Sequence, residues 1–353
     1  MLVNWKTASR FEKCAIIGLC LSGLIATGPR TTAQETRAKG EAAAGDKSWQ
    51  AVAPGLVEPL SGEIKIAVPL VGRIGDVIVK PNDKVFAGQL LIRLDDEEAR
   101  TRVASAEAQV ALRLRVRNDK SARGRAADRR RAEDSEFDAE KAVIAARGAL
   151  DSATLARRTG SGSERNIESA RTALARAQER LTQQKAERQR LESDSGVPLP
   201  TEAEGELNVA RANYLAANAA VEKLMVRAPI AATVLAVNAR AGEIASPAAP
   251  QPLVVLGDLS GMRVRAELDE RDFGEVKMGQ AVVVRTPDLR GREFAGKVAS
   301  IAPIVEQGRI LRGQRNLIDV NVVEVLVDIS EPNGLAVGMK VDVYFRRDVS
   351  AAQ

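Results

Sequence analysis

The sequence predicts an elongated α+β fold in which a long antiparallel helical coiled-coil hairpin is inserted into a split β sandwich, with a small β-barrel domain after it. Two observations carry this prediction. Residues 96–225 are dense in Ala, Arg, Glu, Leu and Gln, which all favour helix. The stretches on either side consist of short apolar runs separated by Gly and Pro-Asn turns, a pattern typical of strands. The helical part therefore interrupts a β-rich chain.

An apolar stripe runs through the helical part in alternating steps of three and four residues. This spacing is the seam of a coiled coil, and Ala at many of its positions allows two helix backbones to approach closely. The stripe occurs in four segments, whose residues are Ala99, Val103, Ala106 and Val110; Ala139, Val143, Ala146, Leu150 and Ala153; Ile167, Ala170, Leu174, Ala177 and Leu181; and Leu207, Ala210, Tyr214, Ala217, Val221 and Leu224.

The turn of the hairpin is predicted at residues 160–163. This stretch, Gly-Ser-Gly-Ser, combines helix-breaking with helix-capping residues and falls at the midpoint of the helical part. Each arm then has roughly sixty residues and reaches about 90 Å, at about 1.5 Å per residue. We therefore expect the turn at the far end of a symmetric hairpin.

Two prolines interrupt the second arm, because Pro inside a helix removes a hydrogen bond and clashes with the preceding turn. In a hairpin centred near residue 160, Pro198 faces the first arm close to Gly124. We expect a joint in the hairpin at Gly124, Pro198 and Pro200. The alternative is that 196–200 is itself a turn, which makes a bundle of shorter helices.

Opposite charges lie at matching heights on the two arms. Basic residues crowd the first arm between Arg113 and Arg131. The second arm at that height carries Glu192, Asp194, Glu202, Glu204 and Glu206. This predicts ion pairs between the arms or between neighbouring subunits. Exposed pairs contribute about 0–1 kcal/mol each, so we expect them to fix the register of the helices more than to stabilise the fold.

The two β-rich stretches beside the helical part, residues 60–95 and 226–257, share one plan of apolar strand, Gly-containing turn and apolar strand. Each is too short to close a core alone, so we expect the two halves to pair. Alternating apolar residues in 258–347 predict half-buried strands that close into a small barrel. Residues 34–59 are predicted to be a disordered leader with a strand leading into the fold, and 348–353 a tail.

The first 33 residues are typical of a secretory signal. Basic residues precede an apolar core at 15–26, and small residues at 31–33 offer a cleavage site. We expect cleavage, with retention as an uncleaved anchor as the alternative. Both cysteines, Cys14 and Cys20, lie in this segment. After cleavage the chain has no disulfide and no thiolate chemistry.

Composition argues against an enzyme and against a nucleic-acid-binding protein. The chain has no histidine, which removes the commonest general base and metal ligand. The net charge is +5, but the basic residues are interleaved with acidic ones and no aromatic reading motif accompanies them. A lipoyl or biotin carrier, which takes part in an enzymatic reaction through a modified lysine, is the nearest alternative. Lys80 and Lys84 lie near a turn, but neither has the sequence surroundings of a modified lysine.

Several short motifs occur in a fixed order along the chain. They are Gly72-x-Ile74-x-x-Val77 with Gly88-Gln89-x-Leu91, Val226-Arg227-Ala228-Pro229 with Gly242, Leu268-Asp269-Glu270-x-Asp272-Phe273, and Leu335-x-x-Gly338-Met339-x-Val341. In this order they resemble the periplasmic adaptor, or membrane fusion protein, family of bacterial tripartite export systems. The resemblance covers most of the chain from about residue 60 to 347. It implies a split lipoyl/biotinyl-like domain with a helical hairpin inserted.

The resemblance also implies a function without catalysis or cofactor. The protein is then a periplasmic adaptor that links an inner-membrane transporter to an outer-membrane channel, as a homo-oligomer that is a hexamer. An ABC transporter is favoured over a proton-driven one, and the competing class is a structural periplasmic coiled-coil protein without a transport role. Channel contact is expected at the turn, through Arg157, Arg158, Gly160, Ser161, Gly162 and Ser163. The Pro-rich loop 246–252 is expected to place Gln251 at the lumen of the ring.

Overall fold

The structure is a computed structural model. It describes residues 49–193, 196, 198–287, 292–308, 321–331 and 334–347. The predicted signal segment 1–33, the leader up to residue 48 and the tail 348–353 lie outside the described residues.

The described elements follow one another as strands, then helices, then strands. The helices are α1 (Glu97–Asn118), α2 (Arg125–Arg158), α3 (Glu164–Ser193) and α4 (Glu202–Glu222). The strands are β1 (Trp49–Pro59), β2 (Ile64–Ile66), β3 (Gly72–Val77), β4 (Lys84–Val85), β5 (Leu90–Leu94), β6 (Met225–Arg227), β7 (Ala232–Val237), β8 (Ile244–Ala245), β9 (Val254–Gly257), β10 (Met262–Asp269), β11 (Ala281–Arg285), β12 (Glu293–Gln307), β13 (Asn321–Ile329) and β14 (Lys340–Arg346). A 3-10 helix, Glu270–Glu275, follows β10.

The four helices form two antiparallel pairs. Helix α1 packs along α4, where Arg113 lies 2.7 Å from Glu206. Helix α2 packs along α3, where Arg188 pairs with Glu136. Acidic residues occupy the first turn of every helix, as the helix dipole favours. The predicted fold class, an antiparallel helical insertion in a β-rich chain, is confirmed.

The chain also reverses between α1 and α2, and there the predicted joint at Gly124 is wrong. Lys141 of α2 lies 2.9 Å from Glu107 of α1, and Arg117 of α1 lies 2.8 Å from Asp134 of α2. Residue numbers therefore rise along one helix while they fall along the other. Gly124 has a φ of +58°, which lies outside the right-handed helical region, so α1 and α2 are separate helices in this structure.

The interruption at Pro198 and Pro200 is likewise a turn between helices, since α3 ends at Ser193 and α4 begins at Glu202. The alternative prediction, a bundle of shorter helices, is the correct one. Each expected arm of roughly sixty residues is folded into two helices. The longest of them, α2, has 34 residues and spans about 51 Å.

The two halves of the split β domain pair with each other, as predicted. One sheet has the strand order β2-β9-β7-β4 and the other β6-β5-β3-β8, so each sheet combines strands from before and after the helices. Ile64 pairs with Leu256 and Leu90 with Arg227. The shared core includes Leu91, Ile92 and Val254, all fully buried. The helical insertion therefore leaves and re-enters one lipoyl-like domain.

The second β unit is a closed barrel with the strand order β1-β10-β13-β12-β11-β14. Strand β1 pairs with β10 on one side and β14 on the other, so it closes the ring. The barrel predicted in 258–347 is thus completed by Trp49–Pro59, which precedes the lipoyl-like domain. Its core contains the buried residues Val57, Leu268 and Phe345.

Within the described ranges, no helix is both long enough and apolar enough to cross a membrane.

Candidate functional site

The turn between α2 and α3 is a well-formed helix cap. Gly160 has a φ of +83°, and its N–H donates to the carbonyl of Arg157 at 3.1 Å. The N–H of Ser161 donates to the carbonyl of Ala156 at 2.9 Å. These two bonds form a Schellman motif, in which Gly supplies the left-handed residue. A Cβ on Gly162 would lie 2.6 Å from the backbone nitrogen of Arg157, so this position needs Gly as well.

This turn lies beside the lipoyl-like domain, not at the far end of the helices, so the expected placement is wrong. A guanidinium nitrogen of Arg158 donates to the carbonyl of Ile78 at 2.7 Å. On α3, the Arg171 guanidinium lies 4.5 Å from the centroid of the Phe86 ring. The reversal at 119–124 is the reason, because it sends α2 back toward the strands from which α1 left.

The predicted contact residues at this turn are mostly exposed. Arg157 is exposed and pairs with Glu164 across the turn at 2.7 Å, and Gly160, Ser161 and Ser163 are exposed as well. The surface is thus open to a partner.

The opposite end of the helices holds Gly124, Pro198 and Pro200, together with a buried carboxylate. Glu204 is 1% exposed, and it receives hydrogen bonds from Arg129 at 2.6 Å, from Arg130 and from the N–H of Thr201 at 2.6 Å. Arg129 also donates to the carbonyl of Pro198. These bonds tie the start of α2 to the connection between α3 and α4.

The electrostatics of Glu204 favour its charged form. Burial by itself raises the pKa of the Glu204 carboxyl. The hydrogen bonds from Arg130 and Thr201, with the charge of Arg129, outweigh burial, so that the pKa lies below its ordinary value. The predicted pairing of the basic segment with acidic residues is confirmed for Glu204 and Glu206. Glu192 pairs with Arg188 inside α3, and Asp194 lies outside the described residues.

A second cluster joins three helices halfway along the bundle. Asp134 of α2 accepts two hydrogen bonds from Arg117 of α1, at 2.8 and 3.0 Å, and one from Arg211 of α4. Next to it the rings of Phe137 and Tyr214 meet edge to face at 5.7 Å. Burial raises the pKa of Asp134, but the bonds from the two arginines outweigh it and lower that pKa below its ordinary value.

A third cluster joins the helices to the lipoyl-like domain. Arg227 in β6 holds both carboxylate oxygens of Asp151 in α2, at 2.7 and 2.8 Å, and also Glu222 of α4 at 2.5 Å. Its side chain is 15% exposed. Burial lowers the pKa of Arg227, but the bonds to the two carboxylates outweigh burial and raise that pKa above its ordinary value.

A cavity of about 710 Å³ lies beside this third cluster. It is lined by helices α1, α2 and α4 and by strands β3, β5 and β6. Its apolar lining residues include Val103, Ile144 and Leu155. The α2–α3 pair thus covers α1, α4 and the lipoyl-like strands without filling the space between them.

One stripe on α2 makes these contacts, and the sequence prediction missed it. It advances in steps of three and four and comprises Arg130, Asp134, Phe137, Lys141, Ile144, Gly148, Asp151, Leu155 and Arg158. It lies beside the apolar seam of α2. Its charged residues are typical of a solvated face. The signal that separates it from such a face is Phe137, the only aromatic residue of α2.

Gln251 is exposed on the loop between β8 and β9, and hydrogen bonds anchor the end of this loop next to β9. Asn238 donates to the carbonyl of Pro252 at 2.9 Å, and Leu253 to that of Ile66 at 2.8 Å. The lumen role of Gln251 stays a prediction. In the part of the chain that the structure describes, no three acidic, His or Cys side chains come together as a metal site.

Comparison with known proteins gives the family. No family model matches the chain. The multidrug resistance protein MdtN of Escherichia coli O6:H1 is 30% identical over 298 residues, which cover 78% of this chain and 83% of that protein. The chain belongs to the membrane fusion protein family. This membrane fusion protein is also 38% identical over 78 residues to the pyoverdine export membrane fusion protein PvdR of Pseudomonas aeruginosa, a match that covers 22% of this chain and 20% of PvdR.

Solved structures of adaptors resemble this membrane fusion protein at low identity. A chimera of MacA that contains the Pseudomonas aeruginosa MexA α-hairpin is 17% identical, covers 84% of this chain and 81% of its own, and has a TM-score of 0.47. MacA from Actinobacillus actinomycetemcomitans is 19% identical, with coverages of 84% and 78% and a TM-score of 0.46. Since both TM-scores are below 0.5, family membership rests on the sequence relative.

Proposed function

We propose that this membrane fusion protein is the periplasmic adaptor of a tripartite export system and that it acts without catalysis. The observation that carries the proposal is the similarity to MdtN, whose name describes a multidrug resistance protein. That similarity extends over 78% of the chain and so includes more than one of its three structural parts. PvdR, similar over a shorter stretch, is named as an export membrane fusion protein.

Each structural part has a separate role in this proposal. The lipoyl-like domains of six copies stack into a ring around a lumen, with Gln251 at the inner edge. The barrel faces an inner-membrane transporter, and the helices face an outer-membrane channel. We propose an ATP-driven transporter first, because loop 246–252 resembles the corresponding loop of ABC-transporter adaptors. The periplasm is the proposed location, reached through the N-terminal signal.

Cross-linking in the native host tests the proposal directly. Cells that carry an affinity-tagged full chain are treated with a membrane-permeable cross-linker, and the purified products are identified by mass spectrometry. We expect one inner-membrane transporter and one outer-membrane channel, and a ladder of bands ending at six copies. Deletion of the gene should raise the accumulation of a fluorescent dye or the susceptibility to toxic compounds, and the plasmid-borne chain should reverse it. Recovery of neither membrane partner contradicts the proposal.

Two single substitutions test where the channel binds. Arg157 lies at the turn between α2 and α3, and Arg123 is exposed at the opposite end of the bundle. We expect Arg157→Glu to reduce export strongly while Arg123→Glu retains it. Both variants replace an exposed Arg by Glu, so each is the control for the other. Equal amounts of secreted protein and equal helix content by circular dichroism show that both variants fold. Loss of export with Arg123→Glu alone would assign the contact to the opposite end.

A further inference from the structure

The two helix pairs keep the register of one continuous hairpin. In an antiparallel pair, the residue numbers of facing partners add to a constant. They add to 319 for Arg113 with Glu206 in the α1–α4 pair. They add to 321 for Arg157 with Glu164 and to 324 for Glu136 with Arg188 in the α2–α3 pair. A single hairpin centred near residue 160 would contain both pairs almost unchanged.

The contacts between the two helix pairs do not follow the same rule, because their residue numbers do not add to about 320. Lys141 with Glu107 and Asp134 with Arg117 add to 248 and 251. Along α4, residue numbers rise in the same direction as along α2, as the Phe137–Tyr214 contact and the pairing of Arg130 with Glu204 show. These contacts exist only because the α2–α3 pair is folded back over the α1–α4 pair.

We name these folded-back contacts the clasp. It comprises the three clusters around Glu204, Asp134 and Arg227, the Phe137–Tyr214 ring contact, the Lys141–Glu107 pair and the bond from Arg158 to Ile78.

The clasp is mainly polar, with one buried ring contact between Phe137 and Tyr214, and its Arg227 cluster lines the cavity of about 710 Å³. Within each pair, by contrast, the contact follows the apolar seam, with Leu207 and Ala210 buried in one and Leu150 and Ile167 in the other. A buried ion pair has a desolvation cost that can exceed its Coulombic gain, and an unfilled cavity loses packing contacts. The clasp is therefore the interface that separates first.

We infer that the α2–α3 pair is held in an autoinhibited, folded-back position and swings out as a unit about the two connections at residues 119–124 and at Pro198 and Pro200. Opening keeps both seams and breaks only the clasp. It moves the turn at 159–163 from the lipoyl-like domain to the end of a hairpin of about 90 Å. The inference rests on the proposed function in one respect, namely that the exposed turn then meets the outer-membrane channel.

The lengths of the helices agree with this motion. Helix α2 is 12 residues longer than α1, which is 22 residues long, so it extends about 18 Å further. The excess lies against the lipoyl-like domain, where Arg158 meets Ile78. Residues 119–124 contain no Pro and can continue the helix on opening, whereas Pro198 and Pro200 keep the second arm broken.

Single-molecule energy transfer tests the opening without any export assay. Dyes are attached to Lys80→Cys and Arg165→Cys, both exposed, in the full chain with Cys14→Ser and Cys20→Ser. We expect high transfer when the clasp is closed and near-zero transfer when the hairpin extends. Adding Asp134→Ala removes the partner of two arginines and should raise the low-transfer fraction at least threefold. The control Glu206→Ala breaks an exposed pair inside the α1–α4 pair and should leave that fraction unchanged.

A single high-transfer population in the parent, in Asp134→Ala and at 1 M salt would overturn the inference. So would an equal rise with Glu206→Ala, because that substitution leaves the clasp intact. Circular dichroism of each variant separates opening from unfolding, since opening retains the helices. A low-transfer population in a protein that recovers no membrane partner after cross-linking would refute the proposed function and leave the opening established.

Cross-linking across the clasp tests its role in export. A reducible bismaleimide between Glu107→Cys and Lys141→Cys locks α1 to α2. The matched control joins Glu140→Cys to Lys185→Cys, an ion pair of 3.5 Å inside the α2–α3 pair that opening retains. We expect loss of export with the first linker, recovery after reduction and no loss with the second. Export at the control level with the first linker in place would overturn autoinhibition.

Discussion

Arg227→Met tests whether the junction between helices and lipoyl-like domain depends on one buried cation. The substitution keeps an unbranched side chain and removes the charge that Asp151 and Glu222 share. Breaking a buried ion pair by removing one partner costs about 3–5 kcal/mol. Glu222 is 38% exposed and keeps Arg147 at 3.2 Å, so water and this second arginine compensate part of the loss. We therefore expect the free energy of unfolding to fall by about 2–3 kcal/mol.

Urea unfolding followed by circular dichroism measures this change, and thermal melting should show a Tm lower by about 3–5 °C. In the double variant with Asp151→Asn, the unpaired carboxylate is gone as well. We expect the double variant to recover at least about 1 kcal/mol relative to the sum of the single effects. The control is Arg73→Met, which removes a 66% exposed partner of Asp95 and should change stability by less than about 1 kcal/mol.

Two results would refute this reasoning. The first is an Arg227→Met variant as stable as Arg73→Met, because a buried ion pair would then contribute no more to the free energy of unfolding than an exposed one. The second is a double variant whose loss equals the sum of the two single losses, because the two side chains would then not interact.

The remaining predictions concern the turn and the acid limit of stability. Gly162→Ala places a Cβ 2.6 Å from the backbone nitrogen of Arg157 and should lower the free energy of unfolding by about 1–3 kcal/mol. Gly148→Ala, which has open space around the added Cβ inside α2, should raise it by about 0.5–1 kcal/mol. Equal melting temperatures of the two variants would contradict both expectations. The folded pKa of Asp134 and of Glu204 lies below the ordinary value, so their contribution is present above about pH 4 and is lost as pH falls through the folded pKa. Asp134→Asn should flatten the fall in urea midpoint between pH 5 and pH 3, and an unchanged slope would contradict the pairing.

The β part of the fold follows from the sequence because each half is incomplete alone. Strands Leu90–Leu94 and Val254–Gly257 are almost entirely buried, and the core around them takes residues from both halves. The pairing of Ile64 with Leu256 joins the two halves in one sheet. The sequence does not show that β1 belongs to the barrel, because this strand lies next to the leader and more than 200 residues before β10, with which it pairs.

The course of the helices could be predicted only in part. The seam residues give the two antiparallel pairs, and the Gly160 turn gives the reversal between α2 and α3. They say nothing about whether the chain reverses again, because an open hairpin and a folded-back one bury the same seams. The difference lies in charged residues such as Asp134 and Lys141, whose partners in α1 and α4 are far away in the sequence.

The two stripes of α2 contribute different physical properties to the bundle. Apolar burial contributes about 25 cal/mol per Å² and tolerates small shifts, so the seam toward α3 holds the pair together through Leu150 and Ala139. Ion pairs of the clasp contribute less but require a partner at one place, so they specify the folded-back position. The two pairs bury the ring of Phe137 against Tyr214, and elsewhere they meet at arginines, carboxylates and a cavity. The polar contacts favour an interface that forms specifically and separates without unfolding either pair.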